Sequence, residues 1–115
     1  MRLDYGVTPE EEIEMIEEFE AWFREHESQL EDSCVQIEIT TRNTPSRAIM
    51  AVLESELYIA SFTLWEIGAL DIDVVSLSTG KAVFGQRYDL EKVTEMTTIL
   101  EDTYSKFMHH SFDPV

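Results

Sequence analysis

Few residues of this chain have the types and spacing to do chemistry. Asp71 and Asp73 stand two apart in "DIDVVSLS", and two carboxylates on one face of a strand could begin a site for a hard cation. "STGK", residues 78–81, ends on the Gly-Lys pair found in phosphate-binding loops. Cys34 is the single thiol, and His26, His109 and His110 are the only imidazoles. Together they are the material for a zinc site or a nucleophile and base.

None of these readings meets its own requirements. A phosphate loop needs a glycine five residues before its Gly-Lys and a helix after it. Val75 occupies that place here, and an apolar, alternating segment follows. Calcium takes six or more oxygens at loop spacings this chain lacks. Alternation of Asp71 and Asp73 with Ile72 and Val74 is what a solvated strand face presents. A zinc centre needs three or four clustered ligands, whereas His109 and His110 are adjacent, and neighbours on a helix do not face each other. There is no G-x-S-x-G elbow, and Asp32 beside Cys34 disfavours a thiolate. The expectation is a non-enzymatic chain with no metal and no cofactor.

The elements that must carry any surface follow from periodicity. "VTPEEEIEMIEEFEAWFREHESQLED" opens as a helix, with Thr8 to cap, Pro9 at the first helical position and Glu11 to complete a capping box. Ile13, Ile16, Phe19, Phe23, His26 and Leu30 form one apolar stripe with Trp22 at its border. His26 on that stripe reads as a core-edge residue. From "CVQIEITT" the period is two. "RNTPS" breaks the strand at Pro45, and "RAIMAVLE" and "LYIASFTLW" follow across Glu54-Ser55-Glu56. The second of these is apolar on both faces, which places it centrally in a sheet. "DIDVVSLS" and "KAVFGQRY" make a further hairpin turned at Gly80. A last helix is expected from Asp89 as cap, with Leu90, Val93, Thr97, Leu100, Tyr104 and Phe107 at helical spacing and Met96 and Ile99 beside them. Residues 1–115 therefore read as a single α+β domain: an acidic N-terminal helix, about five antiparallel strands in a meander, and a C-terminal helix, with the helices packed against the sheet.

Charge narrows the partners. The formal net charge is −16, from 24 acidic and 8 basic side chains. Residues 1–32 hold 12 acidic and 2 basic side chains, a net −10, so most of the excess rides on the first helix. Such a field repels nucleic-acid phosphates and anionic lipid and attracts a basic partner. One cysteine excludes an internal disulfide, "MRLDYGVTPEEEIEM" lacks the apolar core of a signal peptide, and no apolar run approaches a membrane span. A soluble cytoplasmic protein is expected, either monomer or homodimer.

Residues 56–105 also resemble a known family. Leu64-Trp65-Glu66 ending a strand, Gly68, an acidic and aliphatic strand through Asp73-Val74, Thr79-Gly80 and a following charged helix are similar to the TriTu immunity proteins of bacterial polymorphic toxin systems. That resemblance implies a small cytoplasmic protein that binds and neutralises a cognate toxin, with no catalytic residues to carry over. Trp65, Glu66, Gly68 and Asp73 are the positions that match. Trp65, ending an apolar strand, is expected to be buried, and Gly68 to permit the turn. A looser resemblance, to type III secretion chaperones, implies instead a dimer that holds an effector segment. The expected partner is a basic toxin domain, a nuclease among the candidates, met by Glu10, Glu14, Glu17 and Glu18 of the first helix and by Glu66, Asp71 and Asp73 of the hairpin.

Overall fold

The computed structural model describes residues 9–43, 47–109 and 112, with the side chains of residues 9–13 outside that description. Along the chain run α1 (Pro9–Glu25), α2 (Glu27–Asp32), β1 (Gln36–Arg42), β2 (Ala48–Glu54), β3 (Tyr58–Trp65), β4 (Ala69–Ser76), β5 (Ala82–Asp89) and α3 (Val93–Met108). The strands form one antiparallel sheet in the order β1-β2-β3-β4-β5. The fold is α+β, as the alternation of periods implies, and β3 is indeed the central strand. Among the described residues no helix is long and apolar enough to cross a membrane.

The helices cover one face of the sheet. Tyr58, Ala60, Phe62 and Leu64 of β3 and Leu70, Ile72 and Val74 of β4 are buried on that face, against Met15, Phe19, Trp22 and Phe23 of α1 and Met96, Leu100, Tyr104 and Phe107 of α3. Phe23 packs between Phe19 and Phe62, with ring centroids 5.0 and 5.1 Å away. Trp22 meets Tyr104 edge-on at 5.4 Å, which joins the two helices. Apolar burial of this kind is the main source of stability.

The first helix ends earlier than its periodicity suggests. His26 interrupts it, and α2 begins at Glu27. The imidazole stacks on Trp22 at 4.0 Å, and its Nδ1 lies 2.7 Å from the Trp22 carbonyl. His26 is thus a satisfied core-edge residue. Trp22 is buried rather than at a border, and Met15 belongs to the core although it lies off the expected stripe. Thr8, Pro45 and His110 and the side chains of Glu11 and Ile13 lie outside the described residues.

The last helix starts later than expected. Asp89 remains the final residue of β5, and Leu90 follows it, buried, with its N–H donating to the Gly68 carbonyl. The helix is opened by Glu95, whose Oε1 accepts from the N–H of Glu91 at 2.8 Å and of Lys92 at 2.9 Å. One carboxylate thereby serves two amides at the positive end of the helix.

Candidate functional site

Alternation along β4 puts Asp71 and Asp73 on the face of the sheet opposite Leu70, Ile72 and Val74. Among the described residues, no helix covers that face. The acids of α1 lie on the other side, because Phe23 anchors α1 on the inward face of β3. The two groups of acids expected to form a contact surface are therefore separated by the thickness of the sheet.

On α1, Glu14 and Glu17 are exposed and Glu18 is half-buried. The side chain of Glu10 lies outside the described residues. Arg24 near the end of α1 is held by Glu27, its Nη1 donating to Oε1 at 3.1 Å, and its Nη2 lies 3.6 Å from Glu20 Oε2. The hydrogen bond to Glu27 raises the guanidinium pKa further above its ordinary range. Exposed ion pairs of this type contribute little to stability.

On the open face the acids are not alike. Asp71 lies beside Thr63 of β3 and Arg87 of β5. Its Oδ2 accepts the Trp65 Nε1–H at 2.8 Å, and its Oδ1 lies 3.5 Å from Arg87 Nε. Arg42 sits 5.6 Å over the Trp65 ring. Asp71 is thus part of a four-residue cluster and not a free anion. Asp73 is exposed, opposite Ser61 and Gly85. Glu66 is half-buried in the turn, its N–H donating to the Arg47 carbonyl.

Trp65 is half-buried, not enclosed. Its position at the end of an apolar strand suggests burial, but register sets it on the open face, where Asp71 meets its N–H. With Glu66, Arg87 and the exposed Ile67 it lines a hollow of about 230 Å³. Gly68 has φ +88° and lets the chain reverse between β3 and β4, with its N–H on the Trp65 carbonyl. A residue with a Cβ is strained in that region.

A larger depression escapes any reading of motifs. It measures about 720 Å³ at the start of β1, and Glu27, Glu31, Glu38 and Glu54 line it, with no lysine or arginine among the described residues that do so. Strand alternation marks Glu38 as solvent-facing, but the approach of α2 to β1 is a tertiary fact. Among the described residues no group of three or more His, Cys, Asp or Glu could hold a metal ion. Cys34 is exposed, with φ +61° at the entry to β1.

Taken together, the described surfaces present carboxylates on both faces of the sheet and an aromatic cluster around Trp65 on the open one. The family model described as "Immunity protein TriTu" matches residues 17–106 of the chain. No curated protein matches it.

Proposed function

The chain belongs to the TriTu family of immunity proteins, and we propose that it acts by binding a cognate toxin domain of basic surface and blocking it, without catalysis. The observation that carries this reading is the charge of −16 concentrated on exposed carboxylates, with Glu14 and Glu17 of α1 among them. A field of that sign steers a basic protein and raises its association rate above the roughly 10⁵–10⁶ M⁻¹s⁻¹ of uncharged pairs. A nuclease domain suits it, because the groove that takes nucleic acid is itself positive. Glu10, Glu14, Glu17 and Glu18 are assigned to steering. Glu66 and Asp73 face a partner only from the opposite side of the sheet, and Asp71 acts there mainly by holding Trp65.

The test is co-expression with the toxin domain encoded beside this chain. The expected result is restored growth and a one-to-one complex whose association slows steeply with added salt. Reversal of Glu14, Glu17 and Glu18 to lysine should slow association by about tenfold or more without unfolding the domain. An unchanged rate would remove α1 from this role. A toxin that neither binds nor is silenced would end the immunity reading.

A further inference from the structure

We propose that the outer edge of β1 is the anchoring contact for the toxin, and that it takes an extended lysine- or arginine-bearing segment as an added strand of the sheet. This deepens the immunity reading, on which it rests, by naming the chemistry of the contact.

β1 ends the strand order, and among the described residues only β2 pairs with it. Alternate peptide groups of an edge strand point away from its neighbour and form a template for another chain. Proteins usually blunt such an edge with lysine, proline or a bulge. "QIEITTR" has a regular seven-residue register with β2 and no lysine, proline or bulge; its charged residues are Glu38 and the closing Arg42, and α2 packs beside its first residues. The opposite edge differs, since the β4–β5 pairing shifts register at Val74/Val75.

The groove at this edge selects the occupant. Ile37 lines it on the helix side, paired with buried Leu53, and Val52 on the open side, paired with Glu38. Glu27 and Glu31 of α2 stand on the helix side, whereas Glu38 and Glu54 stand on the open side. Side chains of an added strand point alternately to those two sides. A basic segment would therefore meet carboxylates on both, while its backbone pairs with β1. Here acids of the two faces line one depression.

The groove is also preformed. The Val35 N–H donates to the Leu30 carbonyl at 2.8 Å and the Cys34 N–H to the Glu31 carbonyl at 3.0 Å, which fixes α2 beside the strand entry. A preformed site avoids the ordering cost of binding. A second copy of this chain is the poorer occupant, because its β1 carries a single base, Arg42, beside the acid Glu38, and the two molecules would meet with a net charge of −16 each. Nucleic acid and anionic lipid are repelled for the same reason.

The probe is a capped octapeptide of alternating lysine and valine, titrated into the ¹⁵N-labelled full chain. Its controls are the same peptide with every second amide N-methylated and a glutamate-valine version. We expect saturable shifts and slowed hydrogen exchange at the amides of residues 36–41. Affinity should fall about tenfold or more in Glu31→Lys/Glu38→Lys, and both control peptides should fail to bind. Three results would each overturn strand addition: no saturable shift, exchange at β1 left unchanged, or equal binding by the N-methylated peptide. The toxin complex separates this from the parent reading. A neutralised toxin that leaves β1 exchange unaltered removes the added strand alone, whereas a toxin that does not bind removes both.

Discussion

The Trp65 indole N–H donates to the Asp71 carboxylate across 2.8 Å, tying the last residue of β3 to the third residue of β4 on the uncovered face of the sheet. Arg87 reaches the same carboxylate from β5, and Arg42 of β1 covers the indole. The bond is charge-assisted, but Asp71 is about a third exposed, at 30%, so water discounts it. Trp65→Phe and Asp71→Ala should each cost about 1 kcal/mol, and the double variant should cost less than their sum by about 0.5–1.5 kcal/mol. Urea unfolding of the four proteins measures this. Strict additivity would mean the bond contributes nothing.

Gly68 and Gly80 have φ of +88° and +72°. A Cβ at Gly80 would meet nothing within 4 Å, so its substitution isolates the backbone term. Gly80→Ala should cost about 1–2 kcal/mol, and Gly80→Asn less, because asparagine tolerates the left-handed region. Gly68→Ala should cost at least as much, since Gly68 is buried and its carbonyl receives the Leu90 N–H at the end of β5. Equal stability of Gly80→Ala and the parent would remove the strain argument.

Glu95 links stability to pH. The N–H bonds from Glu91 and then Lys92 hold its carboxyl below the ordinary glutamate value. A depressed folded-state pKa contributes stability above the unfolded value, and that contribution is lost as pH falls through the folded one. The difference in Tm between parent and Glu95→Ala should therefore be widest near neutrality and close as pH drops below the usual carboxyl range. A gap that stays constant across that range would show that the charge of Glu95 is irrelevant to the cap.

Phe62 lies at the centre of β3 with no exposed surface and its ring 5.1 Å from Phe23 of α1. Phe62→Ala should cost about 3–5 kcal/mol, a large part of the roughly 5–15 kcal/mol that holds a domain folded. Phe62→Leu, which keeps most of the volume, should cost much less. Thermal melts of the two variants decide it, and near-equal losses would mean that shape matters little at this position.

Much of this molecule was legible without coordinates, because local period reports which face of an element is buried. Apolar residues on both faces of "LYIASFTLW" put β3 at the sheet centre, and alternation set Asp71 and Asp73 on the face opposite Ile72 and Val74. The glycine at 80 marked its turn by residue type, and the backbone there is left-handed with φ +72°. Family membership was legible too, in Trp65-Glu66, Gly68 and the strand after them, within a match that spans residues 17–106.

Period says nothing about partners distant in sequence, and there the structure decided. His26 stays in register with the helical stripe, yet α1 ends before it, where the imidazole stacks on Trp22 and meets Tyr104 edge-on. Asp89 is a good cap by type, but pairing with Ala69 keeps it in β5, and Glu95 opens α3 in its place. Trp65 has the residue type of a core anchor, and only register displays it beside Asp71. The groove at β1 is the furthest from sequence. Its four carboxylates span residues 27–54 and come from α2, β1 and β2. Net charge records that they exist, while their convergence at one strand edge depends on how α2 packs.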